Sequence, residues 1–120
     1  MKQDIAEDWQ KRLRSGEFPQ GCHTLRSHDG KYCCLGVLCE MAAEAGIIEP
    51  AVLDEVLCVY TYCGHQASVL PIAVMSWAGM QTRSGMLSSD DESNSLSSLN
   101  DTGKTFPEIA TVIGENWETL

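Results

Sequence analysis

Residues 22–46 read CHTLRSHDGKYCCLGVLCEMAAEAG. Two local rules meet in this stretch. Asp29-Gly30 is the strongest short signal for a chain reversal, because a type I′ turn needs positive φ at both central positions. It predicts a β-hairpin over 22–34, with Thr24–His28 as one strand and Lys31–Cys33 opening the next. The period then changes. Leu35, Leu38, Cys39, Ala42 and Ala45 recur at helical spacing, and Gly46 supplies a stop. Gly36, Ala42, Ala43 and Ala45 are small enough to let a neighbour approach closely, so the helix over 35–45 is read as the central, buried one.

Working outward, Ile5, Trp9 and Leu13 form one apolar stripe over 4–15, closed by Gly16 and followed by the connector Phe18-Pro19-Gln20-Gly21. The segment EVLCVYTYC at 55–63 has strand composition, ends at Gly64, and is expected to join the hairpin in a small antiparallel sheet. Pro71 opens a helix over 71–78 with Gly79 just beyond it, and Val74 and Trp77 would face the core. Residues 84–98 hold seven serines and the acidic run Asp90-Asp91-Glu92, which reads as a solvated loop before a helical turn at Leu96–Leu99. Asn100-Asp101-Thr102-Gly103 is turn chemistry, and Thr105-x-x-Glu108 is a capping box. Phe106, Ile109, Ala110, Ile113 and Trp117 then make a last helical stripe over 106–117. Neither a repeat nor an internal boundary interrupts residues 1–120. The expectation is a single α+β domain, a small antiparallel sheet with a β-hairpin packed on the central helix and further helices around it.

Charge narrows the function classes. The 120 residues carry a formal net charge of −9, unevenly spread. Residues 1–31 hold six of the eight basic side chains against five acids, whereas residues 32–120 hold two bases and twelve acids. Duplex nucleic acid is bound mainly through Lys and Arg on phosphates, so this balance argues against it. No apolar run approaches the ~20 residues of a membrane helix, and MKQDIAEDWQKRLR lacks the apolar core of a secretory signal, so a cytoplasmic location is expected. A small anionic ligand needs only two or three local cations and stays open.

Six cysteines, Cys22, Cys33, Cys34, Cys39, Cys58 and Cys63, allow a zinc reading that joins Cys58-x4-Cys63-x-His65 to Cys22-His23. That spacing lacks the CxxC pairs usual in structural zinc, and buried reduced thiols are the commoner state, so neither metal nor cofactor is expected. Asp101 and Glu108 form a carboxylate pair with no spacing that fixes acid–base geometry, Cys63 and His65 are misaligned for a dyad, and no glycine-rich phosphate loop occurs. Catalysis is therefore not expected. The distinctive polar set is Arg14 at the end of the first helix, Gln20, Arg26 in the hairpin, and Asn100, Asp101 and Lys104 near the last helix. Arginine offers a bidentate clamp for phosphate, and Tyr60 and Tyr62 offer stacking faces for a base, while Trp9 on its stripe belongs to the core. The bland readings are a dipole-matching Arg14 and a turn built from Asn100 and Asp101.

These residues also carry a resemblance. Trp9-x-x-x-Leu13-Arg14-Ser15-Gly16 with Gln20, then Tyr32–Glu40 (YCCLGVLCE), Leu70-Pro71 through Trp77-Ala78-Gly79, and Leu99-Asn100-Asp101-x-Gly103-x-x-Phe106-x-x-Ile109-Ala110 resemble a family of small bacteriophage and prophage proteins. Residues 50–69 and 84–95 follow no pattern of that family. The family is similar to phage anti-CBASS sponges, which sequester cyclic nucleotide immune signals as oligomers with pockets between subunits. The resemblance implies immune evasion without chemistry: a homo-oligomer holding a cyclic dinucleotide, with Arg14, Arg26 and Lys104 pairing phosphates, Gln20 and Asn100 reading base or ribose edges, and Asp101 beside them. Two alternatives of other classes are an acidic inhibitor that binds a basic host protein, and a small zinc domain.

Overall fold

Ile5, Ala6, Trp9 and Leu13 share one buried face, and that face makes a helix of the first segment, α1 (Gln3–Arg14). A computed structural model describes residues 1–64, 66–87 and 94–120. Its further elements are α2 (Cys34–Glu44), β1 (Val52–Asp54), β2 (Val59–Thr61), α3 (Ile72–Ala78), α4 (Leu96–Asp101) and α5 (Phe106–Asn116). The architecture is α+β, as the sequence predicts. α1 packs chiefly along α5, and α2 lies among α1, α3 and α4. Side chains from all five helices, with Leu25, Tyr62 and Leu70 from the connections, bury into one cluster. No described helix is long and apolar enough to cross a membrane.

α2 occupies the centre because almost nothing on it is polar. Every residue from Cys34 to Cys39 is buried, and Trp9 reaches the same region by donating its indole N–H to the Cys34 carbonyl at 3.0 Å. Gly36 is what lets the chain come so close. A β-carbon there would lie 1.8 Å from the Leu25 carbonyl oxygen, so only glycine admits the 25–26 backbone against this helix.

The sheet differs from the sequence expectation in its location. The hairpin expected over 22–34 is a turn held by the single bridge Arg26↔Tyr32, not a pair of strands. Its loop spans three residues: Ser27 N–H donates to Lys31 O at 2.8 Å, Gly30 N–H donates to Ser27 O at 2.9 Å, and Gly30 carries the positive φ of 83°. Asp29 has no positive φ. This is the type I turn plus left-handed glycine that competes with type I′ for an Asp-Gly pair. The true hairpin is β1 with β2, in register Val52↔Thr61, Leu53↔Tyr60 and Asp54↔Val59. Of the strand expected over 55–63, residues 55–58 form the turn instead. The Asp54 carboxylate accepts from Val56 and Leu57 N–H at 2.9 and 3.0 Å, Cys58 N–H closes on Asp54 O at 2.8 Å, and Cys58 takes φ 57°. β2 does reach the 26–32 turn, through the bridge Ser27↔Val59 and a 3.0 Å bond from Tyr60 N–H to Arg26 O. The acidic run Asp90-Asp91-Glu92 lies outside the described residues.

Candidate functional site

Four of the six candidate ligand residues do meet, across eighty residues of chain. The Gln20 amide nitrogen donates to Asn100 Oδ1 at 3.0 Å and to Lys104 O at 2.7 Å, and its oxygen accepts from Phe106 N–H at 3.0 Å. Asn100, 3% exposed, accepts from Cys34 N–H at 3.2 Å and donates to Gly21 O at 2.8 Å. Asp101 accepts from His23 N–H at 2.8 Å. Phe106 and Cys34 are the first residues of α5 and α2, and first-turn amides have no partner inside their own helix. Gln20 and Asn100 thus cap two helices from a distance and lock the 20–23 loop between them.

The amide groups of Gln20 and Asn100 have their partners within the protein, as helix caps and loop anchors. The adjoining cavity, about 270 Å³ and lined by Gln20, Gly21, Cys22, Asn100, Gly103 and Lys104, is shallow. Lys104 Nζ lies 3.8 Å from Glu108. Glu108 also accepts from Thr105 N–H and hydroxyl at 3.1 and 3.0 Å, which holds its carboxyl below the usual range and completes the expected capping box. The pair Asp101 and Glu108 is structural in both members.

Arg14 and Arg26 lie apart from this set. Arg14 ends α1 and donates to the Thr111 hydroxyl on α5 at 3.0 Å. Arg26 belongs to a second cluster. Its guanidinium lies 4.1 Å from the Tyr60 ring centre and 5.3 Å from that of Tyr32, and 3.4 Å from Glu40. Glu40 also accepts from the Tyr62 hydroxyl at 2.6 Å. Tyr62 is fully buried, so it offers no stacking face, and Trp9 is buried too. Burial and the neighbouring Glu40 carboxylate push the Tyr62 hydroxyl far above its ordinary range. Among the described residues Arg26 Nε is buried without a hydrogen-bond partner. Glu40 escaped the sequence reading, although a single acid among the apolar residues 34–43 is a legible signal of a specific partner.

The cysteines divide cleanly. Cys33, Cys34 and Cys39 are buried free thiols, while Cys22, Cys58 and Cys63 are exposed. Burial pushes Cys33 up to about 11 and Cys34 and Cys39 well above their ordinary value, so these three are poor nucleophiles at neutral pH. Among the described residues no three His, Cys, Asp or Glu side chains gather as metal ligands. His65 of the suggested zinc set lies outside the described residues.

The feature the sequence reading missed is β1 and the turn that joins it to β2, since β2 lies within the strand expected over 55–63. Val52, Val56 and Leu57 are 66%, 92% and 58% exposed, and Leu53 is exposed beside them. The apolar pairs Val52-Leu53 and Val56-Leu57 on either side of Asp54-Glu55 were the available signal, and strand composition hid it. With these geometries in place, the sequence matches over residues 1–117 the family described as a domain of unknown function (DUF8296). The chain belongs to that family. No curated protein and no solved structure matches it. In this DUF8296 domain, then, chemistry must be read from the surface and the clusters themselves.

Proposed function

We propose that this protein works by binding, without catalysis, and that its main target is a basic protein onto which the β1–β2 hairpin docks. One observation carries the reading. Between Lys31 and Arg83 the chain has five acids, Glu40, Glu44, Glu49, Asp54 and Glu55, and neither Lys nor Arg; the exposed Val52, Leu53, Val56 and Leu57 stand in the middle of that stretch. Single exposed apolar side chains are ordinary, but four on one short hairpin, Val52 and Leu53 on its two faces and Val56 and Leu57 at its tip, gain by being covered. Acids around them select a basic rim on the partner and steer its approach. The resemblance to small phage proteins fits an inhibitor of this kind, acting on a host protein. The test is affinity capture from bacterial lysate with the wild type and with Val56→Asp, read by mass spectrometry. A basic protein recovered at least about tenfold less by the variant, and released by salt, supports the reading. Capture that ignores Val56→Asp overturns it.

The Arg26 cluster favours a second reading, sequestration of a cyclic dinucleotide by a homo-oligomer. Arg26 Nε is an unpartnered donor, and the half-buried Tyr60 ring beside it is a surface for a base. Of the six residues considered for that role, Arg26 is the one whose unpartnered donor is buried among the described residues. Native mass spectrometry with a panel of cyclic di- and trinucleotides tests it: an oligomer gaining intact nucleotide masses supports it, and a bare species at tens of micromolar removes it.

A further inference from the structure

We infer that the outer edge of β1 is a strand-addition site for an extended basic segment of the partner, centred on Leu53; this rests on the docking reading above and specifies how the contact is made. The argument starts from the hairpin ladder. Tyr60 N–H points away from β1, because it donates to Arg26 O at 3.0 Å. Leu53 is the residue opposite Tyr60. In an antiparallel pair, residues facing each other either exchange both backbone bonds or point both sets outward. Leu53 therefore turns its N–H and its C=O toward the free edge, and among the described residues neither group is bonded elsewhere. One residue with both groups facing outward is the unit that an incoming strand pairs with.

Among the described residues the inner edge of the hairpin is occupied and the outer one is not: β2 is bridged to Ser27, whereas β1 has β2 on one side alone. Proteins blunt such an edge by keeping it short, by charged side chains such as Lys, by Pro or by a bulge; β1 is short, at three residues, but carries neither Lys nor Pro. Here the strand reads Val-Leu-Asp, and the exposed side chains Val52, Leu53, Val56 and Leu57 stand along it and at its tip. The hairpin has the backbone groups of an edge, the apolar side chains of an interface, and none of the lysines that would repel a strand.

Charge decides between occupants. A second copy pairing antiparallel about Leu53 would set Asp54 diagonally across from its own copy and join two stretches that each carry five acids and no Lys or Arg between Lys31 and Arg83. Like charges across a strand pair are unfavourable. A strand with an apolar residue opposite Leu53 and Lys or Arg on its flanks meets both the apolar side chains and the acids. The chemical class is thus an extended, alternating basic–apolar peptide segment.

The experiment uses the intact, isotope-labelled protein and two synthetic probes, an acetylated Lys-Val-Lys-Val-Lys-Val-Lys peptide and its Glu counterpart. Amide hydrogen exchange and chemical shifts are read residue by residue, with sedimentation of the free protein alongside. The expected result is a monomer whose Leu53 amide exchanges at least about tenfold more slowly with the Lys peptide, with no such change from the Glu peptide. Leu53→Pro removes that N–H at a position where edge strands tolerate proline, and it should weaken the Lys peptide about tenfold. If Leu53→Pro does not fold, protection of the wild-type Leu53 amide decides alone. Shifts spread over the acidic surface with Leu53 exchange unaltered overturn strand addition, as does a free protein that is already dimeric with Leu53 protected. If no peptide protects Leu53 while capture still depends on Val56, strand addition fails and the docking reading survives. If capture ignores Val56, the docking reading fails first.

Discussion

Replacing Gly36 by alanine tests the closest approach in the structure. The new β-carbon would sit 1.8 Å from the Leu25 carbonyl oxygen and 2.7 Å from its carbon. Ordinary contact begins near 3.4 Å, so α2 and the Leu25 backbone must part by roughly 1.5 Å. Leu25 cannot yield freely. It is fully buried, its N–H donates to Ala67 O at 2.7 Å, and its C=O accepts from Cys33 N–H at 3.3 Å. Overpacking of this kind costs about 1–3 kcal/mol, and weakening two buried hydrogen bonds adds about 1 kcal/mol each. Against this, alanine gains at most about 1 kcal/mol of helix propensity. The net expectation is a loss of about 2–4 kcal/mol, or roughly 10 °C in midpoint for a domain of this size. Gly114 in α5 is the matched control. A β-carbon there meets Gln10 Oε1 at 2.6 Å, the far end of a flexible side chain, so Gly114→Ala should fall within about 1 kcal/mol of wild type. Urea unfolding followed by circular dichroism at 222 nm reads both variants. A Gly36→Ala midpoint at or above wild type, or an equal shift in the two variants, would refute the reasoning.

Asn100→Ala should cost about 2–4 kcal/mol in the same assay, because it leaves the buried Cys34 N–H and the half-buried Gly21 O without their partner. A loss below about 0.5 kcal/mol would mean that the latch is ornamental. Thr105→Ala should cost about 1 kcal/mol through the lost cap on α5. Glu108 is held below its ordinary carboxyl value, so its contribution to stability is complete above about pH 4.5 and fades as pH falls through the lower folded value. Glu108→Gln should therefore flatten the acid limb of a stability–pH curve and leave the limb above neutrality unchanged. Native protein treated briefly with N-ethylmaleimide at pH 7 should gain three adducts, on Cys22, Cys58 and Cys63, and six after denaturation. Early labelling of Cys33, Cys34 or Cys39 would contradict the burial of α2.

The helices were legible because each rests on local rules. The stripe Ile5, Trp9, Leu13, the capping box Thr105 to Glu108, and the stops Gly16, Gly46 and Gly79 act within a turn or two of chain, and each appears in the structure at or within a residue of its expected place. β1 and the turn after it were not legible. Three residues, Val52–Asp54, give no alternation to count, and the loop is set by the Asp54 carboxylate bonding forward to Val56 and Leu57 instead of by a glycine pair. The Asp-Gly turn at 29–30 was found, but strand length around it depends on what lies alongside, and α2 at Gly36 takes the space a sheet would need.

The polar set separates the two levels most sharply. The amino-acid sequence by itself determined that Gln20, Asn100, Asp101 and Lys104 are hydrogen-bonding groups and that the region between Lys31 and Arg83 is acid without base, although Asn100 and Asp101, expected in a turn, close α4 instead. Only the tertiary structure decided where those bonds go. It closes eighty residues of chain so that Gln20 and Asn100 spend their amides on the first turns of α5 and α2. It leaves Leu53, Val56 and Leu57 uncovered on a hairpin instead of folding them inward. The physical reason is the range of the forces. Helix periodicity and capping are settled within a few residues, whereas the partner of a polar group and the burial of a strand face depend on which distant segments the core draws together.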